Sequence, residues 1–170
     1  MTRPNIEIRR VGVEKILDLR HRILRAGLPR QSACFEGDES KTTLHFAALT
    51  ADASGQLAGQ VVGCLSLMLN SFEAEPAWQL RGMAIDEPHQ GRGIGRQLMI
   101  WAEKAAAAEG KAGWLWCNAR LPAAGFYQKQ GWTAASEVFE IPTAGPHIKM
   151  RKRLERANLR ETVEKTRGND

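Results

Sequence analysis

The chain has 170 residues, 43% hydrophobic and 25% charged, which is the composition of an ordinary globular domain and excludes fibrous, low-complexity and membrane-spanning classes. No apolar run reaches the ~18 residues a bilayer-crossing helix needs, and the N-terminus MTRPNIEIRR is charged where a secretory signal would be apolar, so neither a membrane nor export is expected. The net charge of +5 is concentrated in residues 149–170, which hold eight Lys/Arg against four Asp/Glu; the body is nearly neutral, no basic stripe interleaves with aromatics, and a nucleic-acid partner is not expected.

In chain order, NIEIRRV alternates apolar and polar residues and predicts a strand over 5–11. Val13, Ile16, Leu17, Ile23 and Leu24 recur at helical spacing and predict a helix over 13–26. Residues 27–43 read as irregular. HFAALT (45–50) and QVVGCLSLML (60–69) form a hairpin candidate around DASG, and the acidic stretch NSFEAEP reads as a loop leading to a third strand, WQLRGMAI, at 78–85. A glycine cluster, HQGRGIGR, then opens a helix over 94–108 marked by Ile94, Leu98, Trp101, Ala102 and Ala105. GWLWCN (113–118) is apolar enough for a strand covered on both faces. Pro122 and Gly131 bracket a short helix over 122–130, and strands at 132–140 and 147–153 flank IPTAGP. The order predicts an α/β (α+β) domain over residues 1–153, with a mixed sheet flanked by helices and a basic tail at 154–170. Three cysteines without CxxC spacing argue against a disulfide framework or a metal site and for a reducing, cytoplasmic setting; Cys64 and Cys117 read as core residues. His45 in its apolar run reads as a satisfied core histidine.

Gly91, Gly93 and Gly95 stand between a strand and a helix, where backbone N–H groups and the helix N-terminus together make an anion site. The dinucleotide pattern GxGxxG fails, because the sixth position is Arg96 counting from Gly91 and Leu98 counting from Gly93. The phosphate-loop pattern GxxxxGK[ST] fails as well. Arg92 and Arg96 oppose the helix macrodipole by ~0.3–1 kcal/mol each unless an anion joins them, which favours phosphate contact over solvated charges.

Gln90, Gly93 and Gly95 match a third pattern, [RQ]-x-x-G-x-[GA], the pyrophosphate loop of the GNAT superfamily of N-acetyltransferases. The chain resembles that superfamily over residues 5–153: LRGMAID, HQGRGIG, RQLMIWAEKAA, WLWCNA and AAGFYQKQGW occur in the family order, and FEIPTAGPHIKM resembles the end of a bacterial branch of it. The resemblance implies an acyl-CoA N-acyltransferase fold, acetyl-CoA as co-substrate, and direct acetyl transfer to a primary amine, of a small molecule in the first instance. A non-catalytic CoA-binding sensor of the same fold is the alternative. It further implies that the amides from Gly91 through Arg92, Gly93, Ile94 and Gly95 to Arg96 hold the diphosphate with Gln90 nearby. The backbone of Met83, Ala84 and Ile85 and the side chain of Asn118 would hold the pantetheine arm. Tyr127 matches the general acid beside the leaving sulfur. A phenol of pKa ~10 protonating a thiolate of ~8.5 is uphill by about 2 kcal/mol, so hydrogen bonding to the developing thiolate is as apt as full proton transfer.

WQLRGMAI lacks the strand glutamate that family members often use as a base. A lysine-like amine is neutral in only about one molecule in 10³ at pH 7, so some other route must take its proton. Glu36, Asp38, Glu73 and Glu75 fall in segments expected to frame the acceptor pocket, and they suggest a cationic amine; His147 lies at the last strand. Each of these reads as a structural residue before a base. Five tryptophans could serve core or interface equally, leaving a homodimer open.

Overall fold

In a computed structural model, residues 5–51, 54 and 57–155 are described, so the basic tail lies outside the described residues from 156 onward. Strand β1 (Asn5–Val11) pairs antiparallel with β2 (Leu44–Ala51), which pairs antiparallel with β3 (Leu57–Phe72). The helix expected over 13–26 divides at Ile16, whose φ is −107°, into a 3-10 turn at Val13–Lys15 and α1 (Leu17–Leu24), and it ends where Arg25 leaves helical geometry and Gly27 turns to φ +78°.

The acidic loop expected at 70–77 is almost entirely strand. β3 runs to Phe72, Glu73 and Ala74 make a two-residue turn with φ of 50° and 67°, and β4 (Glu75–Ile85) starts at once. Two positive φ values match the twist of the paired strands, but Glu and Ala are not the Asn-Gly residues that announce such a turn. β4 leads through a glycine-rich bend to α2 (Ile94–Glu109), which buries Leu98, Met99, Ala102 and Ala106. β5 (Trp114–Arg120) follows and lies parallel to β4. A 3-10 turn at Leu121–Ala123 enters α3 (Ala124–Lys129), and Gly131 at φ +85° ends it. The strand expected over 132–140 is broken into β6 (Thr133–Ala134) and β7 (Phe139–Ile141). Between them the Ser136 hydroxyl accepts the Lys149 N–H at 2.9 Å, replacing a ladder bond with a side-chain one. β8 (Gly145–Arg153) pairs with β5, β6 and β7.

The sheet order is β1-β2-β3-β4-β5-β8-β6, with β7 also on β8, and among the described residues only the β4–β5 pair is parallel. Each face has its own core. On one, α2 and α3 cover Phe46, Val62, Leu65, Trp78, Leu115 and Met150. On the other, Ile16 and Leu19, flanking the start of α1 and lying on it, pack on Ala47, Cys64 and Ala84. Cys64 and Cys117 are buried core residues as expected, while Cys34 is exposed. No helix among the described residues is long and apolar enough to cross a membrane.

Candidate active site

The site begins where the sheet comes apart. β4 and β5 pair only at Trp78↔Leu115 and Gln79↔Trp116, yet β4 runs on to Ile85 and β5 to Arg120. The β3–β4 register shifts between Cys64↔Ala84 and Ser66↔Arg81, and Gly82 sits in this bulge at φ +59°. A bulge bends its strand and strengthens its twist, which swings β4 away from β5. No side chain fits at Gly82: a Cβ would stand 2.7 Å from Arg20 Nε and 2.9 Å from the Phe35 ring. Met83, Ala84 and Ile85 therefore lie on the stretch of β4 that has no ladder to β5 among the described residues.

The loop after β4 is held back onto that strand. Gln90 Nε2 donates to the Ile85 carbonyl at 3.0 Å, so the Gln90 side chain anchors the loop to the strand end. Asp86 is bound by Arg22 at 2.5 Å, joining α1 to the same corner. The three glycines differ in purpose. Gly91 and Gly93 have φ of 71° and 79°, and no atom lies within 4 Å of where their Cβ would be, so they serve conformation and leave open space before α2. Gly95 is a packing residue: its Cβ would meet Met83 Cε at 3.0 Å and Phe126 Cζ at 3.2 Å. The first helical bond of α2 runs from Gln97 N–H to the Gly93 carbonyl, so the preceding N–H groups have no acceptor within the helix. No acidic residue stands in that first turn, where Arg96 lies exposed, with Arg92 exposed just before it.

Tyr127 is buried on the α2 face, wedged edge-on between Phe126 and Trp132 at ring distances of 5.4 and 5.3 Å. Its hydroxyl is 3.9 Å from Met83 Sδ. Burial pushes the phenol well above its usual pKa of 10, with Cys117 adding to the shift, so Tyr127 keeps its proton. Asn118 is exposed on β5 opposite Lys149.

A cavity of ≈ 260 Å³ opens at the split, and Met83, Asn118 and Tyr127 line it together with groups from the α1 face. The latter are residues the sequence reading did not single out: Arg25 after α1, Phe35, Arg81 of β4 and Arg120 of β5. The acidic residues expected to frame this pocket do not line it, which removes the basis for a cationic acceptor. Glu73 and Glu75 sit at the far β3–β4 turn, where Glu73 pairs with Arg151 at 3.2 Å. Glu36 is exposed and offers only its carbonyl, to Arg81 at 2.6 Å. Asp38 is buried and bound to Arg20 at 2.6 Å, and Arg20, fully buried, also donates to the Ala33 carbonyl and the Ser66 hydroxyl. That knot pins residues 33–38 beside the cavity. His45 is a satisfied core histidine, with its ring nitrogens 2.6 Å from Ser66 Oγ and 2.9 Å from the Asp38 carbonyl. His147 does line the cavity; its Nδ1 donates to the Gly145 carbonyl at 2.7 Å, which leaves Nε2 as the nitrogen with a lone pair when the ring is neutral.

A sheet split at one parallel pair, with a glycine-rich helix start on one face and a buried tyrosine at the split, defines an acyl-CoA-dependent N-acyltransferase. The acetyltransferase (GNAT) domain family matches residues 43–134. The uncharacterized N-acetyltransferase YitI of Bacillus subtilis is 32% identical over 155 residues, covering 88% of this chain and 97% of its own. Among solved structures, Escherichia coli ElaA superposes with a TM-score of 0.69 at 19% identity, over 86% of this chain and 99% of its own. An aminoglycoside 6'-N-acetyltransferase complexed with coenzyme A superposes with a TM-score of 0.65 at 16% identity, over 88% and 97%. The chain belongs to the GNAT family and is an acetyl-CoA-dependent N-acetyltransferase.

Proposed function

We propose that the protein acetylates the primary amine of a small molecule bound in the cavity between β4 and β5. The observation that carries this reading is that the split opens the sheet from one face to the other. The helix start with Gly91 and Gly93 lies on the α2 face, and the cavity mouth with Arg81 and Arg120 lies on the α1 face. Tyr127 reaches the opening, 3.9 Å from Met83. A volume of ≈ 260 Å³ is just below the ~300–1,000 Å³ usual for small-molecule pockets, which supports a compact acceptor.

In this reading the free edge of Met83, Ala84 and Ile85, with Asn118 across the gap, receives the pantetheine arm. The amides from Gly91 to Arg96 and the side chains of Arg92 and Arg96 receive the diphosphate. Acetyl-CoA supplies the activated acyl group as a thioester. Tyr127, neutral and buried, holds a proton at its hydroxyl and donates a hydrogen bond to sulfur as negative charge develops there. His147 takes the amine proton at Nε2, since no carboxylate lines the cavity to do so. The orientation of its ring is set by the bond from Nδ1 to Gly145.

The test pairs a thermal-shift comparison of acetyl-CoA, ATP and NAD with a thiol assay of CoA release across a panel of primary amines. Stabilisation by acetyl-CoA alone, and amine-dependent CoA release, are the expected results. Stabilisation without release from any amine refutes small-molecule acetyl transfer.

A further inference from the structure

We infer that the acceptor carries an anionic group, a carboxylate or a phosphate, beside the amine that is acetylated, and that Arg25, Arg81 and Arg120 hold it. The inference rests on reading the cavity as the acceptor site. Three guanidiniums from three elements converge on one opening whose lining contains no Asp or Glu. Among the described residues, none of the three has a carboxylate oxygen within 4.0 Å. Of the other arginines, Arg20 pairs with Asp38, Arg22 with Asp86, Arg30 with Asp18 and Arg151 with Glu73, while Arg92, Arg96 and Arg153 stand exposed to solvent.

The three are also held in place. Arg81 donates to the Glu36 carbonyl at 2.6 Å, and Arg120 and Arg25 each donate to the Leu24 carbonyl at 3.1 Å. Arg25 and Arg81 stack on the Phe35 ring at 5.3 and 5.0 Å from its centroid. A guanidinium has five N–H donors, so each retains several after these bonds. Burial, then the charges of Arg120 and Arg20, push the Arg25 pKa below its usual value. A bound oxyanion would relieve that repulsion and accept paired bonds from the planar forks.

Coenzyme A's own diphosphate does not account for the cluster. Arg81 faces the α1 layer, where it meets Phe35 and Glu36, whereas the glycine loop opens α2 on the other face, where Met83 meets Gly95. Arg120 stands directly opposite His147 in the β5–β8 ladder, so the proposed proton acceptor and an anion ligand are neighbours on one face. Leu24, Phe35, Ile141 and Ala144 add apolar wall for a short side chain.

The experiment measures CoA release from acetyl-CoA with L-leucine against isoamylamine and L-leucinamide, and with O-phosphoethanolamine against ethanolamine, on the wild type, Arg120→Gln and Arg81→Gln. In parallel, calorimetry measures binding of N-acetyl-L-leucine, which needs no turnover. The expected result is a preference of ten-fold or more in kcat/KM for an anionic amine over its uncharged counterparts. Each Arg→Gln change should raise KM for the anionic amine ten-fold or more while leaving KM for isoamylamine within two-fold. Leucine preferred over leucinamide assigns a carboxylate; O-phosphoethanolamine preferred over ethanolamine assigns a phosphate. Equal release from the uncharged amines overturns the inference and leaves small-molecule acetylation standing. Arginine-dependent binding of N-acetyl-L-leucine without CoA release from any amine upholds the anion site and refutes acetyl transfer to these small amines. No preference and no arginine-dependent binding overturns the anion site.

Discussion

Replacing Tyr127 with Phe removes one oxygen from a ring that is otherwise fully employed. The ring stays between Phe126 and Trp132, 5.4 and 5.3 Å away, so the fold loses little beyond a long contact of 3.9 Å to Met83 Sδ. In the proposed mechanism the reaction loses a hydrogen bond to sulfur that strengthens as the thiolate forms. A hydrogen bond to a charged partner is worth ~1.5–3 kcal/mol, which at about 1.4 kcal/mol per decade is roughly a ten- to 150-fold fall in kcat. Because burial raises the phenol's pKa, the hydroxyl stays protonated through the alkaline range, and the wild-type rate should show no loss near pH 10 from Tyr127 ionising. Steady-state kinetics by thiol release, with KM for acetyl-CoA and a thermal melt beside it, reads all three quantities. A variant whose kcat stays within two-fold of wild type refutes the assignment. A kcat loss matched by an equal loss of acetyl-CoA binding would instead make Tyr127 a packing residue.

Two further predictions concern the scaffold. Asp38→Asn leaves the fully buried Arg20 without its counter-charge, at a cost of ~3–5 kcal/mol; at about 2–4 °C per kcal/mol for a chain of this size, Tm should fall by roughly 6–20 °C in calorimetry, and a fall under 3 °C would show that the pair is not holding residues 33–38. Burial pushes the Cys64 and Cys117 thiols from the usual 9.0 to about 12, so the unfolded chain releases these protons while the folded one retains them. That contribution is complete below pH 9 and is lost as pH climbs toward 12. Urea midpoints should hold level up to roughly pH 8 and decline above 9, less steeply in Cys64→Ala; an unchanged slope in that variant counts against the thiol as a source.

The elements read correctly from sequence were those whose pattern is local. β1 alternates, α2 carries an apolar stripe, and HQGRGIGR excludes two phosphate loops by register and matches a third. Each signal spans a few residues, because side-chain periodicity and glycine's φ freedom are properties of neighbouring residues. The errors came where no local residue announces the geometry. Glu73 and Ala74 occupy positive φ without the usual turn residues, so the strand ends around them read as loop in the sequence, and Glu73 and Glu75 lie at the turn rather than in the cavity lining. The break between β6 and β7 depends on the Ser136 hydroxyl meeting Lys149, a partner thirteen residues on.

By itself, then, the amino-acid sequence determined the family, the acyl donor and the order of elements, since these are written in contiguous motifs. The tertiary structure decided the chemistry of the cavity between β4 and β5. Asp38 pairs with Arg20, and among the described residues Arg25, Arg81 and Arg120 have no carboxylate oxygen within 4.0 Å. Charge in a sequence is only a count; its effect depends on distance and burial, and these exist only once α1, β4 and β5 have been brought to the same opening.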